Sequence, residues 1–392
     1  MDFGFSQQEE SFRKEVREFI QKEFPSELRW HFRVTFAPSI HGLDGEAWQL
    51  MRTMSRKLGA KGWLSLSWPK EYGGQNSLFL QNIVYEEVMY HNCPGINHIG
   101  VTFLAPTLIH FGSDEQKKAH LPGIARGEVY WCELLSEPDS GSDLASLRTR
   151  ATEEGDYYVI NGQKTWTSGA HLSDWGFVLA RTDPDLTRHR GLSYFLVDMK
   201  TPGITVKPLL NMLGEYDFAE VFFDDVRVPK ENLVGGKNRG WYVTMATLDF
   251  ERAALMFYPS VRAYLEHLLE YVKQTHKPLD PVLRNRLAEL FAECEMARWI
   301  HYRAIWMMEK GSIPTYEAAI DKLYFLLAQR AAELGMQVLG NYGGLLPGSK
   351  FACLNGWPSF YYLDTVSYSI LAGTSEIDRN VIAVRGLGLP TQ

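Results

Sequence analysis

The sequence has few of the residue clusters that mark metal enzymes or disulfide-stabilised proteins. Its 392 residues include four cysteines, which are widely separated and form no Cys-x-x-Cys pair. The eleven histidines do not pair at metal-ligand spacing, so no metal site is predicted. This usage is typical of reduced thiols in the core of a cytoplasmic protein. The four are Cys93, Cys132, Cys294 and Cys353.

Several catalytic and nucleotide-binding motifs are also missing. No Gly-x-Gly-x-x-Gly follows a predicted strand, which disfavours a dinucleotide-binding Rossmann fold. Gly343 to Lys350 resembles a phosphate-binding loop, but it reads Gly-Ser-Lys where Gly-Lys-Ser or Gly-Lys-Thr is needed. Without His-Glu-x-x-His or Gly-x-Ser-x-Gly, the usual signatures of a metalloprotease and a serine hydrolase are absent as well.

The charge and hydropathy patterns disfavour nucleic-acid and membrane partners. The formal net charge is −7, the isoelectric point is near 5.9, and no run of lysine and arginine stands out. No apolar stretch is long enough to span a bilayer. The N-terminal sequence lacks a charged region followed by an apolar one, so a signal peptide is not expected. We therefore expect a cytoplasmic protein.

The sequence contains three regions of different periodicity. Residues 1–125 show apolar stripes at helical spacing, 126–235 short β-branched and aromatic runs between turns, and 236–392 longer helical stripes. These predict an α+β fold with an N-terminal α-helical domain, a central antiparallel β-barrel or sandwich and a C-terminal four-helix bundle. The predicted elements include helices over Ser77–Tyr90, Ile96–Phe111, Trp241–Val272, Val282–Met308, Tyr316–Leu339 and Thr374–Val384, and strands over Leu147–Ala151, Tyr157–Ile160, Trp175–Arg181, Leu192–Asp198, Ile204–Pro208 and Ala219–Phe223.

One loop is rich in groups that hold polar ligands. The apolar run that begins at Trp131 breaks at Glu137-Pro138 and continues as a Ser/Asp/Gly loop. Backbone amides and hydroxyls in such a loop can bind a polar ligand, although most loops of this composition are surface turns. In the following region, Asn161-Gly162 predicts a further turn.

Three motifs and the order of the regions resemble the acyl-CoA dehydrogenase family over essentially the whole chain. The motifs are Ser136-Glu137-Pro138 with Gly141-Ser142-Asp143, then Asn161 to Lys164 followed by Trp166, and finally Ala372 to Ile377. The resemblance implies bound FAD and α,β-desaturation of an acyl-CoA thioester. A carboxylate removes the α-proton, and the β-hydrogen leaves as hydride to flavin N5.

The resemblance also assigns roles to individual residues. Trp166 is expected to lie against the isoalloxazine ring, whereas the alternative is an ordinary core tryptophan. The backbone N–H of Ala372 is expected to donate to the thioester carbonyl. The expected cofactor-binding residues are Leu135, Ser136, Trp166, Ser168, Gln337, Gly340, Thr374 and Glu376, and the expected substrate-binding residues are Ser142, Asp249, Arg252, Ala372 and Gly373.

The catalytic base is expected at a less common position of the family. Many members carry glutamate immediately before the Gly-Thr-Ser of the last motif, where this chain has Ala372. Glu251 matches an alternative position on the first long helix of the C-terminal region. A solvated helical glutamate is the other interpretation of Glu251, but the missing carboxylate at 372 favours catalysis.

One segment departs from the family pattern. Val272 to Leu279 keeps only Lys277 and Leu279 of the residues that usually hold the FAD diphosphate of a neighbouring subunit. Either Lys273, His276 or Lys277 substitutes as the phosphate donor, or the chain pairs with a different subunit. The resemblance implies a homotetramer or heterotetramer that passes electrons to an electron-transferring flavoprotein. The alternatives are a non-catalytic or half-site subunit of a heteromeric enzyme, and an acyl-CoA oxidase of the same fold.

Overall fold

The computed structural model describes residues 4–29, 46–186, 188–254, 256–312 and 314–390. Within them, the order is helices, then strands, then helices, as predicted. The helices are α1 (Gln7–Glu23), α2 (Glu46–Ala60), α3 (Leu78–Tyr90), α4 (Ala105–Phe111), α5 (Asp114–Ala125), α6 (Gly240–Ala254), α7 (Tyr258–Gln274), α8 (Pro281–Glu309), α9 (Tyr316–Leu323), α10 (Leu326–Leu339), α11 (Trp357–Asp364) and α12 (Ser375–Val381). The strands are β1 (Trp131–Leu134), β2 (Arg150–Glu154), β3 (Tyr157–Ser168), β4 (Trp175–Arg181), β5 (Leu192–Asp198), β6 (Ile204–Leu209), β7 (Phe218–Pro229) and β8 (Leu233–Val234).

The described residues form two compact units. One contains the described parts of 1–33, 77–93 and 252–392, and the other those of 34–76 and 94–251. These units do not coincide with the predicted domains 1–125, 126–235 and 236–392. Each unit is defined by contacts in space and therefore includes segments that are distant in the chain. The three domain bounds stay predictions.

A mainly antiparallel sheet forms the centre of the second unit. Its strand order is β6-β7-β3-β2-β4-β5-β8, and β1 adds a parallel pair with β4 to the predicted antiparallel arrangement. The predicted β2–β3 hairpin is confirmed, although β2 begins three residues later than expected. One face of the sheet packs into an apolar core that includes Cys132, Leu134, Val178, Phe195, Val221 and Val226.

The predicted turn at Asn161-Gly162 is wrong, because β3 runs through it from Tyr157 to Ser168. The structure has a β-bulge here, in which Asp224 and Asp225 of β7 face Asn161 alone. Asn161 Nδ2 donates to Asp225 Oδ1 at 3.0 Å, and the Asp225 amide donates back to Asn161 Oδ1 at 2.9 Å. A Cβ on Gly162 would lie 2.4 Å from Thr149 Oγ1, so this position requires glycine. Asparagine and glycine are favoured in turns and in β-bulges alike, which is why the prediction chose the wrong one.

Two long helices of the C-terminal region are shorter than predicted. The predicted Trp241–Val272 helix is divided into α6 and α7, and Pro259 lies in the first turn of α7. Proline has no N–H and its ring clashes with the preceding turn, so a helix restarts there rather than continuing through it. The predicted Tyr316–Leu339 helix divides into α9 and α10 at a turn where the buried Phe325 packs edge-on against Phe257.

The helices predicted over Ser77–Tyr90 and Val282–Met308 are confirmed. Ser77 caps α3 by accepting from the Leu80 amide at 3.2 Å. The segment predicted as the Ile96–Phe111 helix contains a π-helical turn over Ile99–Leu104 that leads into α4. Three of the four cysteines are buried as expected, but Cys353 is only half-buried, and each of the four is a thiol outside any disulfide.

A buried ion pair joins β3 to the loop after β1. Lys164 Nζ lies 2.9 Å from both the Leu135 carbonyl and Glu137 Oε1. Glu137 also accepts from the Arg148 and Thr149 amides, at 2.6 and 2.9 Å. Burial lowers the pKa of Lys164 to about 8, against the opposing charge of Glu137. Burial alone would raise the pKa of Glu137, but the charge of Lys164 and these hydrogen bonds outweigh it and lower the pKa.

We expect Lys164→Met to lower the free energy of unfolding by about 3–5 kcal/mol, because it leaves a buried carboxylate without its cation. Urea unfolding at pH 7 measures this change. The matched control is Lys14→Met, since the ammonium of Lys14 is exposed and lies 3.7 Å from Glu18 one turn away. Loss of this exposed ion pair is expected to lower the free energy of unfolding by less than about 1 kcal/mol. Equal losses in the two variants would contradict a structural role for the buried pair.

Candidate active site

The loop after β1 is fixed by its backbone as well as by Lys164. Glu137 and Ser140 exchange two backbone hydrogen bonds of 2.8 and 3.0 Å, which close a tight turn. The Ser136 carbonyl accepts from the Thr165 amide at 2.9 Å. This hydrogen bond holds Leu135 and Ser136 beside β3, the strand that carries the other residues predicted to bind the flavin ring. Ser142 lies farther along the same loop and is exposed.

A second bulge in the β3–β7 ladder places Trp166. Between the pairs Lys164–Val221 and Thr167–Ala219, two residues of β3 face one residue of β7. Trp166 adopts a left-handed backbone conformation with φ of 58°, which is rare for a residue with a large side chain. Its indole is 64% exposed and contacts Phe218 edge-on, with the ring centroids 6.1 Å apart. Trp166 is thus not a core tryptophan.

This surface fits an aromatic cofactor ring. An exposed indole offers a flat apolar face, and a second aromatic plane is the kind of partner that it stacks against. Ser168 is half-buried two residues farther along β3, and the hydroxyl of Thr167 between them is buried without a hydrogen-bond partner. The four residues assigned to the flavin in this unit, Leu135, Ser136, Trp166 and Ser168, therefore lie on two segments that the structure holds together.

Helix α6 presents a buried polar face that includes Glu251. Thr244, Thr247 and Glu251 are spaced by three and four residues, so they lie on one side of the helix. The Thr247 hydroxyl is 2.8 Å from that of Thr107. Glu251 is only 6% exposed, so it is not the solvated helical glutamate of the alternative interpretation. Asp249 is half-buried on the same helix.

A second carboxyl group, which the sequence analysis missed, lies near Glu251. Glu133 is the one charged residue of β1, and its carboxyl is close enough to that of Glu251 for the two charges to interact. Burial raises the pKa of Glu133 well above its usual value, and the charge of Glu251 raises it further. The only signal in the sequence was a glutamate within an apolar run.

The last motif has an unusual backbone. Ala372 and Gly373 are both left-handed, with φ of 55° and 98°, so an alanine takes a conformation that glycine favours. Thr374 is the N-cap of α12 and accepts from the Ile377 amide at 3.3 Å. Glu376 is exposed in the first turn of the same helix.

The remaining predicted residues belong to the first unit, in which Arg252 lies near the end of α6. Gln337 is exposed on α10, where it accepts from Arg286 Nη1 at 2.9 Å, and Gly340 ends that helix. Arg252 is half-buried. Burial raises the pKa of Asp378 in α12 to about 6, against the opposing charges of Lys322 and Arg252.

The unusual segment Val272 to Leu279 is the end of α7 and the turn after it. Lys273 and His276 are exposed, and Lys277 is half-buried. His276 adopts a left-handed conformation with φ of 50°. All three candidate phosphate donors are thus accessible.

Across the described residues, no three His, Cys, Asp or Glu side chains are arranged to hold a metal ion. None of the helices described by the structure is long and apolar enough to cross a membrane.

Comparison with known proteins agrees with the motifs. Models of the N-terminal, middle and C-terminal domains of acyl-CoA dehydrogenases match residues 6–128, 132–226 and 238–387. The chain is 37% identical over 394 residues to acyl-CoA dehydrogenase IpdE1 of Mycobacterium tuberculosis, with 98% of each protein covered.

Two solved structures are similar over their whole length. One is described as the Tcur3481-Tcur3483 steroid ACAD, with a TM-score of 0.90 and 30% identity, and all of both chains is covered. The other is the ChsE4-ChsE5 complex from Mycobacterium tuberculosis, with a TM-score of 0.88, 31% identity and the same coverage. With three matching domain models and relatives of this similarity, the chain belongs to the acyl-CoA dehydrogenase family and is a FAD-dependent acyl-CoA dehydrogenase.

Proposed function

We propose that the chain introduces an α,β double bond into an acyl-CoA thioester and that Glu251 is the base that removes the α-proton. The observation that carries this proposal is the burial of Glu251 in a chain whose other family position for the base is Ala372. Alanine has no group that accepts a proton. Glu251 matches the alternative family position, on a helical face that is otherwise lined by buried threonines.

The surroundings of Glu251 suit proton abstraction. A fully hydrated carboxylate is a weak base, whereas removal of its water makes the charged form less favourable and strengthens its affinity for a proton. Substrate binding would exclude the remaining water from a side chain that is already only 6% exposed. The Ala372 amide is the proposed donor to the thioester carbonyl, and that hydrogen bond would stabilise the charge that develops when the α-proton leaves.

The cofactor and substrate assignments complete this proposal. Leu135, Ser136, Trp166 and Ser168 would hold the flavin ring. Gln337, Gly340, Thr374 and Glu376 are the further cofactor contacts. When bound, FAD supplies the acceptor for the β-hydride. Ser142, Asp249, Arg252 and Gly373 are the proposed substrate contacts beside Ala372.

We expect Glu251→Gln to slow flavin reduction by a substrate acyl-CoA about 10²–10⁴-fold, because glutamine is similar in shape but is not a base of comparable strength. Anaerobic stopped-flow bleaching of the flavin measures the rate. Ala372→Gly is expected to keep the rate near normal, since glycine adopts the left-handed conformation of this position without strain.

The matched control is Glu270→Gln, which removes an exposed carboxylate from α7 and is expected to have no effect. Near-normal flavin reduction in the Glu251 variant would disprove its role as the base.

A second candidate function is that of a subunit in a heteromeric acyl-CoA dehydrogenase. Two observations favour it: the few family residues in the Val272–Leu279 segment, and the similarity to the Tcur3481-Tcur3483 steroid ACAD and the ChsE4-ChsE5 complex, each of which is named for two proteins. We propose a tetramer, either of this chain alone or with a paralogous chain that completes the FAD site. An electron-transferring flavoprotein is the proposed acceptor.

We expect the chain purified alone to bind less than one FAD per subunit if a second chain completes the site, and about one if it forms a homotetramer. Flavin absorbance and the mass of the assembly measure this stoichiometry directly.

Slow reoxidation of the reduced flavin in air is expected of a dehydrogenase, whereas rapid reoxidation would favour the oxidase alternative.

The similarity to a structure described as a steroid ACAD supports a bulky, steroid-derived acyl group as the substrate class. We expect such a thioester to bleach the flavin faster than straight-chain thioesters of similar size. A screen of acyl-CoAs by anaerobic bleaching measures this preference, and faster reduction by straight-chain substrates would contradict it.

A further inference from the structure

Residues 140–147 (the Ser142 loop) extend beyond the buried ion pair that closes the base of the loop after β1. They include the proposed substrate contact Ser142, which is exposed. Within the loop, the Asp143 carbonyl accepts from the Ser146 amide at 3.0 Å and from the hydroxyls of Ser140 and Ser146 at 2.9 and 2.7 Å. These hydrogen bonds set the internal shape of the loop, and its place beside the sheet requires a further contact.

One guanidinium group makes that contact. Arg181, the last residue of β4, donates from Nη2 to the Ala145 carbonyl at 2.9 Å and from Nε to the Leu147 carbonyl at 3.4 Å. Its Nη1 donates to the Arg188 carbonyl at 3.0 Å, in the turn between β4 and β5. A guanidinium carries five N–H donors in one rigid plane, so it can hold carbonyls of two segments at once. Arg181 therefore joins the Ser142 loop to the β4–β5 turn.

The β4–β5 turn is shaped to meet this group. Arg188 adopts a left-handed conformation with φ of 49°, which is uncommon for a residue other than glycine and persists where surrounding contacts hold it. A Cβ on Gly191 would lie 2.1 Å from the Asp183 carbonyl and 3.4 Å from Arg181 Nη1, so the turn requires glycine there. Among the described residues, every acceptor of the Arg181 side chain is a backbone carbonyl. The contact thus depends on the shape of the guanidinium rather than on an ion pair.

The residue after Arg181 connects the end of β4 to the start of α6. The Thr182 hydroxyl lies 2.7 Å from both the Ser193 hydroxyl and Asn238 Oδ1. The Asn238 amide donates to the Ser193 hydroxyl at 2.8 Å. A Cβ on Gly240, the first residue of α6, would lie 2.5 Å from the Ser193 backbone, so the helix begins directly against β5. The end of β4 therefore contacts both segments of this unit that carry proposed substrate contacts.

We propose that Arg181 is a positioning residue for the acyl-CoA, which keeps the Ser142 loop in the arrangement that binds the substrate. This role rests on the proposed function, since it takes Ser142 as a substrate contact. Arg181 acts through the loop and does not itself touch the substrate. Without it, the loop would be in the binding arrangement for only part of the time, and the apparent affinity for substrate would fall by that fraction.

The two cations that contact the loop after β1 then have different effects. Lys164 holds the residues proposed to bind the flavin, whereas Arg181 holds the part that contains Ser142. Loss of the guanidinium should therefore weaken substrate binding and leave the flavin in place. A general structural role would instead lower flavin content, the reduction rate and substrate binding together.

Anaerobic stopped-flow with the holoenzyme tests this division, using the acyl-CoA that bleaches the wild-type flavin fastest. We expect Arg181→Met to raise the concentration for half-maximal reduction about 10-fold, which corresponds to a binding-competent fraction of about one tenth. The limiting rate and the FAD content should stay within about 2-fold of wild type. The matched control is Arg150→Met, which removes an exposed arginine paired with Arg181 between β2 and β4 and should change none of these values.

Arg181→Lys separates position from charge and provides a variant of similar size. Lysine keeps the positive charge but has a compact ammonium in place of the planar group, so we expect the half-maximal concentration to rise about 3-fold or more. A wild-type value in Arg181→Lys would overturn the proposal, because charge alone would then be sufficient. A fall in the limiting rate of either variant with an unchanged half-maximal concentration would overturn it as well.

Hydrogen exchange of the full-length holoenzyme gives a readout that needs no substrate. Amides of residues 141–147 and 188–191 should exchange faster in both Arg181 variants, while those of 164–168 keep the wild-type rate. Unchanged exchange in the first two segments would overturn the proposal. A wild-type flavin that no acyl-CoA bleaches would overturn the proposed function, whereas normal bleaching with a wild-type half-maximal concentration in both Arg181 variants would overturn the role of Arg181 alone.

Discussion

The ion pair between Lys164 and Glu137 is the interaction on which the proposed flavin wall depends. The fully buried ammonium group of Lys164 donates one hydrogen bond to the Glu137 carboxylate and another to the Leu135 carbonyl. The carboxylate in turn accepts from two amides just before the next strand. Because a charge in such a dry place is tolerated only when all its partners are present, the loop has little freedom to move without losing them. The residues proposed to hold an aromatic cofactor therefore lie on a loop and a strand that this ion pair joins.

Much of the fold and the family could be predicted from the sequence, because their signals are local. Helical stripes, short strands and three ordered motifs depend on residues within a few positions of one another. The predictions failed where two structures use the same local chemistry. Asn161-Gly162 suits a hairpin turn and a bulge equally well, and only the partner strand decides between them. The predicted Trp241–Val272 helix failed for a similar reason. Pro259 marks the point where α7 begins, but the apolar stripe of the sequence continues across it and suggested a single helix.

The features that decide the chemistry depend on tertiary structure. The sequence placed Glu251 on a helix but did not show whether it was buried, and its spacing would have suited a surface glutamate as well. Glu133 is more than a hundred positions away in the chain, and its carboxyl interacts with that of Glu251 only because the fold brings the two side chains near each other. An isolated glutamate in a strand carries no sign of its neighbour's charge. Electrostatic coupling of this kind is absent from composition and periodicity, since it is a property of distance in space.

The two bulges in the β3–β7 ladder have a joint consequence for how this protein tolerates change. The first adds a residue to β7 and the second, at Trp166, adds one to β3, so the pairing offset created by one is removed by the other. The residue pairs of β3 and β7 on the outer sides of the two bulges have the same register, and only the pairs between the bulges are shifted by one residue. Loss of either irregularity alone would turn side chains beyond it to the opposite face. The indole at the proposed cofactor surface is thus tied to an Asn–Asp pair farther along the ladder, because an insertion or deletion at one bulge leaves the register intact only if the other bulge changes as well.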